Sequence, residues 1–161
     1  MSEFHEMPGH LIRRLHQIST AIFAGEMAQA GVDLTSVQYA ALKALASHPG
    51  IDQNTLAGLV AYDRATMAGV VERLERRGYL RREISQTDRR ARVLMLTEAG
   101  QDIINLVSPA VNRVQEQLLA ALSSDESRTL ISLMAKATVA GNDRARAPLR
   151  SDAADAAVRE N

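Results

Sequence analysis

The side chains best equipped for chemistry in this 161-residue sequence are guanidinium groups, and they crowd into one stretch. Residues 63–92 hold nine arginines (64, 73, 76, 77, 81, 82, 89, 90, 92) against five acids (63, 72, 75, 83, 88), a surplus of four. The chain as a whole is neutral, so the remainder is acidic by the same amount. Charge concentrated on one face attracts a polyanion even when the total is zero. Arg64 and Thr66 carry donors that could reach base edges in a major groove. Ala68 and Gly69, on the same face, are too small to fill a core, and the glycine costs helix propensity, which suits a helix shaved to enter that groove. Arg89, Arg90 and Arg92 repel one another in isolation, whereas a phosphate backbone would make their crowding favourable.

A second set of groups lies near the start. Arg14 stands beside an apolar arc, with His10 one turn before it and Gln17 just after. A guanidinium at the rim of an aliphatic cleft suits a carboxylate, which it can engage through two parallel hydrogen bonds. Gln38 and Tyr39 are the expected facing groups, and His16 is a further candidate. The competing expectation is that Arg14 pairs with an acid at a subunit interface while His10 merely caps a helix.

Other chemistries lack their residues. There is no cysteine, so thiol redox chemistry, disulfides and thiolate metal sites are excluded. The four histidines (5, 10, 16, 48) lack an i,i+4 pair with a third ligand nearby, so no metal site is expected. Serine and histidine do not fall on a strand-turn-helix elbow, and the glycines are scattered, so neither catalysis nor a cofactor is expected. No apolar run approaches the ~20 residues of a membrane span, and no leader pattern opens the chain. A cytoplasmic protein is expected.

The elements that must position these groups can be read from periodicity and caps. From Asp52 to Thr97 the pattern is two short helices, a tight turn between them, then two strands around a basic loop. Asp52 caps a helix buried through Leu56, Leu59 and Val60, and Asp63 caps a second one buried through Met67, Val70, Val71 and Leu74. Gly78 ends that helix. Tyr79–Ile84 alternates as a strand, Val93–Leu96 is its antiparallel partner, and residues 85–92 form the hairpin tip. Asp88 is expected to orient one of the tip arginines, and loss of Arg90 to disturb the tip itself. This is the plan of a winged helix-turn-helix, in a fold that is mainly α with a small β wing (α+β).

Within that stretch, Asp88-Arg89-Arg90-Ala91-Arg92-Val93-Leu94-Met95-Leu96-Thr97 resembles the D-x-R-x-x-x-L-x-L-T signature of the MarR (multiple-antibiotic-resistance regulator) family. Val71–Arg82, V-x-R-L-E-R-R-G-Y-L-x-R, is similar to the same family's recognition-helix exit. The resemblance covers about Gly9 to Ala140 and implies a dimeric DNA-binding regulator. By position it places Arg64, Thr66, Ala68 and Gly69 toward the groove, Arg73 on the backbone, and Arg89, Arg90 and Arg92 in the wing. The missing cysteine excludes the family's peroxide-sensing branch. Gly9–Ile18, G-H-L-I-R-R-L-H-Q-I, resembles members that regulate catabolism of aromatic or heteroaromatic acids, so a small aromatic acid effector is implied.

The remaining chain frames the module. Residues 1–8 are expected as a flexible arm. Residues 9–32 and 98–141 form a helical dimerisation region around the DNA-binding region 33–97, and residues 142–161 form a tail. The first helix carries Leu11, Leu15, Ile18 and Ile22 on one arc. Thr35-x-x-Gln38 is a capping box for a helix buried through Val37, Ala41, Leu42 and Leu45. After Thr97, Ile104, Val107, Val111, Val114, Leu118 and Leu122 alternate three- and four-residue spacing, the mark of a helix packed along another. Pro109 should kink it. Ser123-x-x-Glu126 opens a last helix through Leu130, Leu133, Met134 and Ala137. A monomer would leave these stripes wet, so a twofold homodimer on a pseudo-palindromic duplex is expected. Two other readings stay open: a constitutive regulator without effector, and a winged-helix adaptor that turns its basic face to an acidic protein.

Overall fold

The computed structural model describes residues 3–86 and 88–149. Its elements are α1 (Glu3–Glu6), α2 (Pro8–Gln29), α3 (Ser36–Ser47), α4 (Gln53–Leu59), α5 (Arg64–Arg76), β1 (Leu80–Ile84), β2 (Arg92–Leu96), α6 (Glu98–Leu119) and α7 (Ser124–Gly141), then a 3-10 turn at Asn142–Arg144. Mostly helix with one small antiparallel hairpin, it is the α fold with a β wing that the patterning predicts. No helix among the described residues is long and apolar enough to cross a membrane.

The chain divides into two compact units. The first contains residues up to 36 together with 106–129. Within the segment expected as an arm, Glu3–Glu6 closes a helical turn, and the Phe4 ring lies 4.5 Å from that of His10. Phe23, Met27, Val107, Ala110 and Val114 are buried. The buried acid Glu26 accepts from Arg113 Nε at 2.8 Å and from Gln117 Nε2 at 2.6 Å. The Arg113 hydrogen bond holds the Glu26 carboxyl below its ordinary value, against the opposing effect of burial. A carboxyl so depressed adds stability above the usual glutamate pKa of ~4.3 and loses it as pH falls through the folded value. Thermal melting from neutral pH into the acid range should therefore show Glu26→Gln with a flatter acid limb than the parent. An identical acid limb would remove Glu26 from the account.

The second unit contains residues 37–105 and, among the described residues, 130–149. Its core is Ala41, Leu42, Leu45, Leu56, Met67, Val71, Leu74, Leu80 and Leu94. The capping expectations are met: Asp52 accepts from the amides of Asn54 and Thr55, and Asp63 from that of Thr66. The α4 end is closed by bonds from Ala61 N to Gly58 O and from Tyr62 N to Ala57 O. This arrangement puts Ala61 at φ +53°, where a Cβ is strained and glycine is the usual occupant. Ala61→Gly should thus be neutral or stabilise by up to about 1 kcal/mol, the relief of strain being partly offset by glycine's greater unfolded freedom. Chemical denaturation would read it, and a loss of stability would contradict the strain.

β1 pairs with β2 from Leu80↔Leu96 to Ile84↔Arg92. Periodicity missed a third edge: Ile51 bridges Leu94, tying the segment before α4 to the wing. Thr97 links wing to helix, its hydroxyl donating to Gly78 O at 2.6 Å and accepting from Gly100 N at 3.1 Å. Gly100 packs so closely that a Cβ would stand 2.1 Å from Tyr79 O. Gly100→Ala must push backbone apart, an overpacking defect of about 1–3 kcal/mol or more, visible as a lowered melting temperature. α6 stays helical through Pro109.

The long apolar stripes are only partly covered. Leu11, Ile12, Ile18, Leu106, Leu122, Ile131, Leu133 and Met134 are exposed, and α7 has no buried residue. The α7 stripe expected through Leu133 and Met134 is therefore a real face left uncovered in one chain. From residue 142, where a tail is expected, the first eight residues fold back instead: Leu149 N donates to Asn142 Oδ1 at 2.8 Å and Asn142 Nδ2 to Leu149 O at 3.0 Å. Residues 150–161 of that expected tail lie outside the described residues.

Candidate nucleic-acid interface

α5 buries Met67, Val70, Val71 and Leu74, the stripe expected of it, so its opposite face is necessarily presented outward. That face exposes Arg64, Thr66 and Arg73, with Ala68 and Gly69 half-buried between them. The Asp63 cap holds the first turn. Its carboxyl is pulled below its ordinary value chiefly by the Thr66 amide, and the Thr66 hydroxyl donates to the same oxygen at 3.2 Å. Thr66 is thereby partly engaged in the cap and reaches outward from a fixed position. At Gly69 a Cβ would meet nothing nearer than Arg73 Nη2 at 3.5 Å, an ordinary contact. The fold does not require glycine there. Gly69→Leu should leave thermal stability unchanged or slightly raised, since leucine is the better helix former. If this face enters a major groove, the same variant should bind duplex at least ~10-fold more weakly, because a bulky group would then meet base edges. Unchanged affinity in a gel-shift titration would take this face out of the groove.

The arginines of residues 63–92 separate into two groups. Arg76 pairs with Glu72, Arg81 with Glu83 and Arg82 with Glu75. Arg77 sits over the Tyr79 ring at 5.2 Å. The three ion pairs offset their own charge, and these contacts together flank the exit of α5. Arg64, Arg73, Arg89, Arg90 and Arg92 are exposed, and among the described residues no ion pair engages them. These five include every arginine singled out above for contact with a duplex.

Gly78 adopts φ +74° between α5 and β1, and bonds from Gly78 N to Glu75 O and Tyr79 N to Leu74 O close the helix. At the wing tip Asp88 has the structural role expected, but by a different route. Its carboxylate accepts the backbone amide of Arg90 at 2.9 Å, its carbonyl accepts from Ala91 N, and its amide lies 3.3 Å from Ser85 Oγ. The turn thus rests on Asp88 and the backbone of Arg90, not on the Arg90 guanidinium. Truncating Arg90 leaves those bonds in place, contrary to the expectation that it would disturb the wing.

The second candidate set also finds a place. A cavity of about 710 Å³ in the first unit is lined by His10, Arg14 and His16 with Phe4, Arg13 and Gln17. Phe4 and Arg13 were missed in the sequence. Phe4 is one of only two phenylalanines, a signal that went unused because a residue six positions from its partner lies outside helical periodicity. The other two candidates lie in the second unit, on α3: Gln38 is buried, and burial raises the pKa of Tyr39.

Comparison with known proteins gives a consistent picture. The family profile described as MarR family matches residues 34–91. The transcriptional regulator HosA of Escherichia coli O157:H7 is 36% identical over 127 residues, covering 79% of this chain and 91% of HosA. The structure of BpsR from Bordetella bronchiseptica, whose DNA binding is regulated by 6-hydroxynicotinic acid, matches with a TM-score of 0.79 at 28% identity, over 86% of this chain and 97% of that one. The transcriptional repressor CouR, solved bound to a 23-mer DNA duplex, matches with a TM-score of 0.77 at 28% identity, over 86% and 96%.

Proposed function

Because the chain belongs to the MarR family of transcriptional regulators, we propose that it is a dimeric, sequence-specific repressor released from its operator by a small aromatic carboxylic acid. The observation that carries the DNA-binding half is the division of the arginines. Those bonded to neighbouring glutamates stabilise the module, and the five left over project from the outer face of α5 and from the wing. In this reading Arg64 and Thr66 read base edges, Ala68 and Gly69 allow close approach, and Arg73 anchors on phosphate. Arg89, Arg90 and Arg92 follow the flanking minor groove. Two copies, joined through the exposed apolar faces, would place their α5 helices in successive major grooves ~34–36 Å apart on a pseudo-palindrome. The protein would act where that duplex lies, in the cytoplasm.

Support for the effector comes from the cavity beside α2, where an apolar ring, two guanidiniums and two imidazoles meet. That composition suits a flat ring bearing a carboxylate: Phe4 meets the ring and Arg14 the charge. BpsR, which responds to 6-hydroxynicotinic acid, is a relative of the same fold. His10, Arg14 and His16 would bind the acid from the wall of this cavity. A ligand that binds best to a head spacing mismatched to the duplex repeat needs a coupling of only ~1–3 kcal/mol to weaken operator binding 5- to 150-fold.

A gel-shift titration over a salt series tests this, using the chain's own promoter fragment against random duplex. It is repeated with a panel of benzoate, hydroxycinnamate and nicotinate derivatives. Preference for one palindrome, a steep salt dependence and release by at least one acid are expected. Binding indifferent to salt would favour a protein-interaction adaptor, and palindrome binding that no acid weakens would favour a constitutive regulator.

A further inference from the structure

Residues 142–149 pack against the helix-turn-helix at the point where it prepares α5. Gly58, inside α4, is the seat: a Cβ there would stand 2.8 Å from the Pro148 carbonyl oxygen and 3.7 Å from that of Ala147. Ala147 is buried, whereas Arg144 and Arg146 on the same segment are exposed. The two hydrogen bonds between the Asn142 side chain and the Leu149 backbone close the segment into a loop of fixed shape. A small cleft is bounded on one side by Ala61, Tyr62 and Asp63, and on the other by Ala145, Arg146 and Ala147. Arg146 is therefore held at the turn that feeds the first residues of α5. Its charge adds, after the larger effect of the Thr66 amide, to the lowering of the Asp63 carboxyl. The guanidinium is exposed, and among the described residues no ion pair engages it.

We propose that this C-terminal strap is a working part of the reading head, clamped by the Ala147–Pro148 backbone over Gly58 so that Arg146 contacts the phosphate backbone beside the groove that α5 enters. The inference rests on the DNA-binding reading above and extends its footprint to a segment lying beyond the winged module in sequence. A strap of this kind has a reason to be rigid, because a phosphate contact gains most when its donor is held in place before binding.

Fluorescence anisotropy with full-length protein and the operator duplex, between roughly 50 and 200 mM salt, tests the strap. Arg146→Ala should bind roughly 3- to 10-fold more weakly, with the salt slope reduced by about two per dimer and the melting temperature unchanged. Arg146→Lys should keep most of the slope. Ala147→Asp, which places a carboxylate under the strap, should reproduce the Arg146→Ala loss although the arginine remains, and the double variant should be no weaker than either single one. If Ala147→Asp does not fold, the Arg146→Ala and Arg146→Lys pair is sufficient to separate the outcomes. Wild-type affinity and slope for Arg146→Ala, alongside clear losses for Arg90→Ala, overturn the strap and leave the DNA reading standing. Failure of the unaltered chain to bind any duplex overturns both.

Discussion

Exchanging Arg89, Arg90 and Arg92 together for alanine is expected to weaken operator binding by about three orders of magnitude near physiological salt, and to flatten the salt dependence by about five units of slope per dimer. The size follows from counting. Each phosphate neutralised releases counterions and contributes ~0.9 to the slope, and a twofold dimer presents each wing arginine twice. The count holds only for guanidiniums not already neutralised within the protein. Arg76, Arg81 and Arg82 are paired with Glu72, Glu83 and Glu75, so their loss should disturb stability more than the slope. Folding should survive the triple exchange, since the wing tip is held by Asp88, Ser85 and the backbone of Ala91. Circular dichroism and melting of the variant establish that, and the slope is then read from the titration. An unchanged slope in a folded triple variant would mean that the wing does not lie along the duplex.

Arg14→Ala is expected to raise the aromatic acid concentration needed for release by roughly 10- to 150-fold while operator affinity without ligand stays near that of the parent. A charge-assisted, bidentate pair to a carboxylate is worth about 1.5–3 kcal/mol, and at ~1.4 kcal/mol per tenfold this gives the range stated. The asymmetry is the diagnostic part. Arg14 lines the cavity of the first unit with His10, Arg13 and His16 and takes no part in the outer face of α5 or in the wing. A residue of purely structural importance would lower operator affinity and melting temperature along with the ligand response. Calorimetric titration of the acid separates the two cases, and release at the parental concentration would remove Arg14 from the pocket. Arg13 shares that cavity, so Arg13→Ala is the natural companion, and a larger effect there would reassign the carboxylate contact.

Much of the reading head was legible in the sequence because its determinants are local. A carboxylate or hydroxyl three residues ahead of a free amide is enough to start a helix, as at Asp52, Asp63, Thr97 and Ser123. The three-to-four spacing of Met67, Val70, Val71 and Leu74 leaves one outward face for α5, and the residues on that face follow from the spacing alone. The hairpin follows from the alternation of its strands, and its basic tip from the arginines between them.

What only the tertiary structure decided are the contacts that close long stretches of chain. Glu26 meets Arg113 and Gln117 across 87 and 91 residues, and Ile51 bridges Leu94. Phe4 turns back onto His10, and the strap settles over Gly58 through the carbonyls of Pro148 and Ala147. Such pairings depend on shape and on the entropy of loop closure, neither of which leaves a period or a cap in the sequence. The same reason explains the exposed stripes at Leu11, Ile18, Leu133 and Met134. Spacing declares that an apolar face must be covered, but the identity of its cover is a property of the surfaces that meet it.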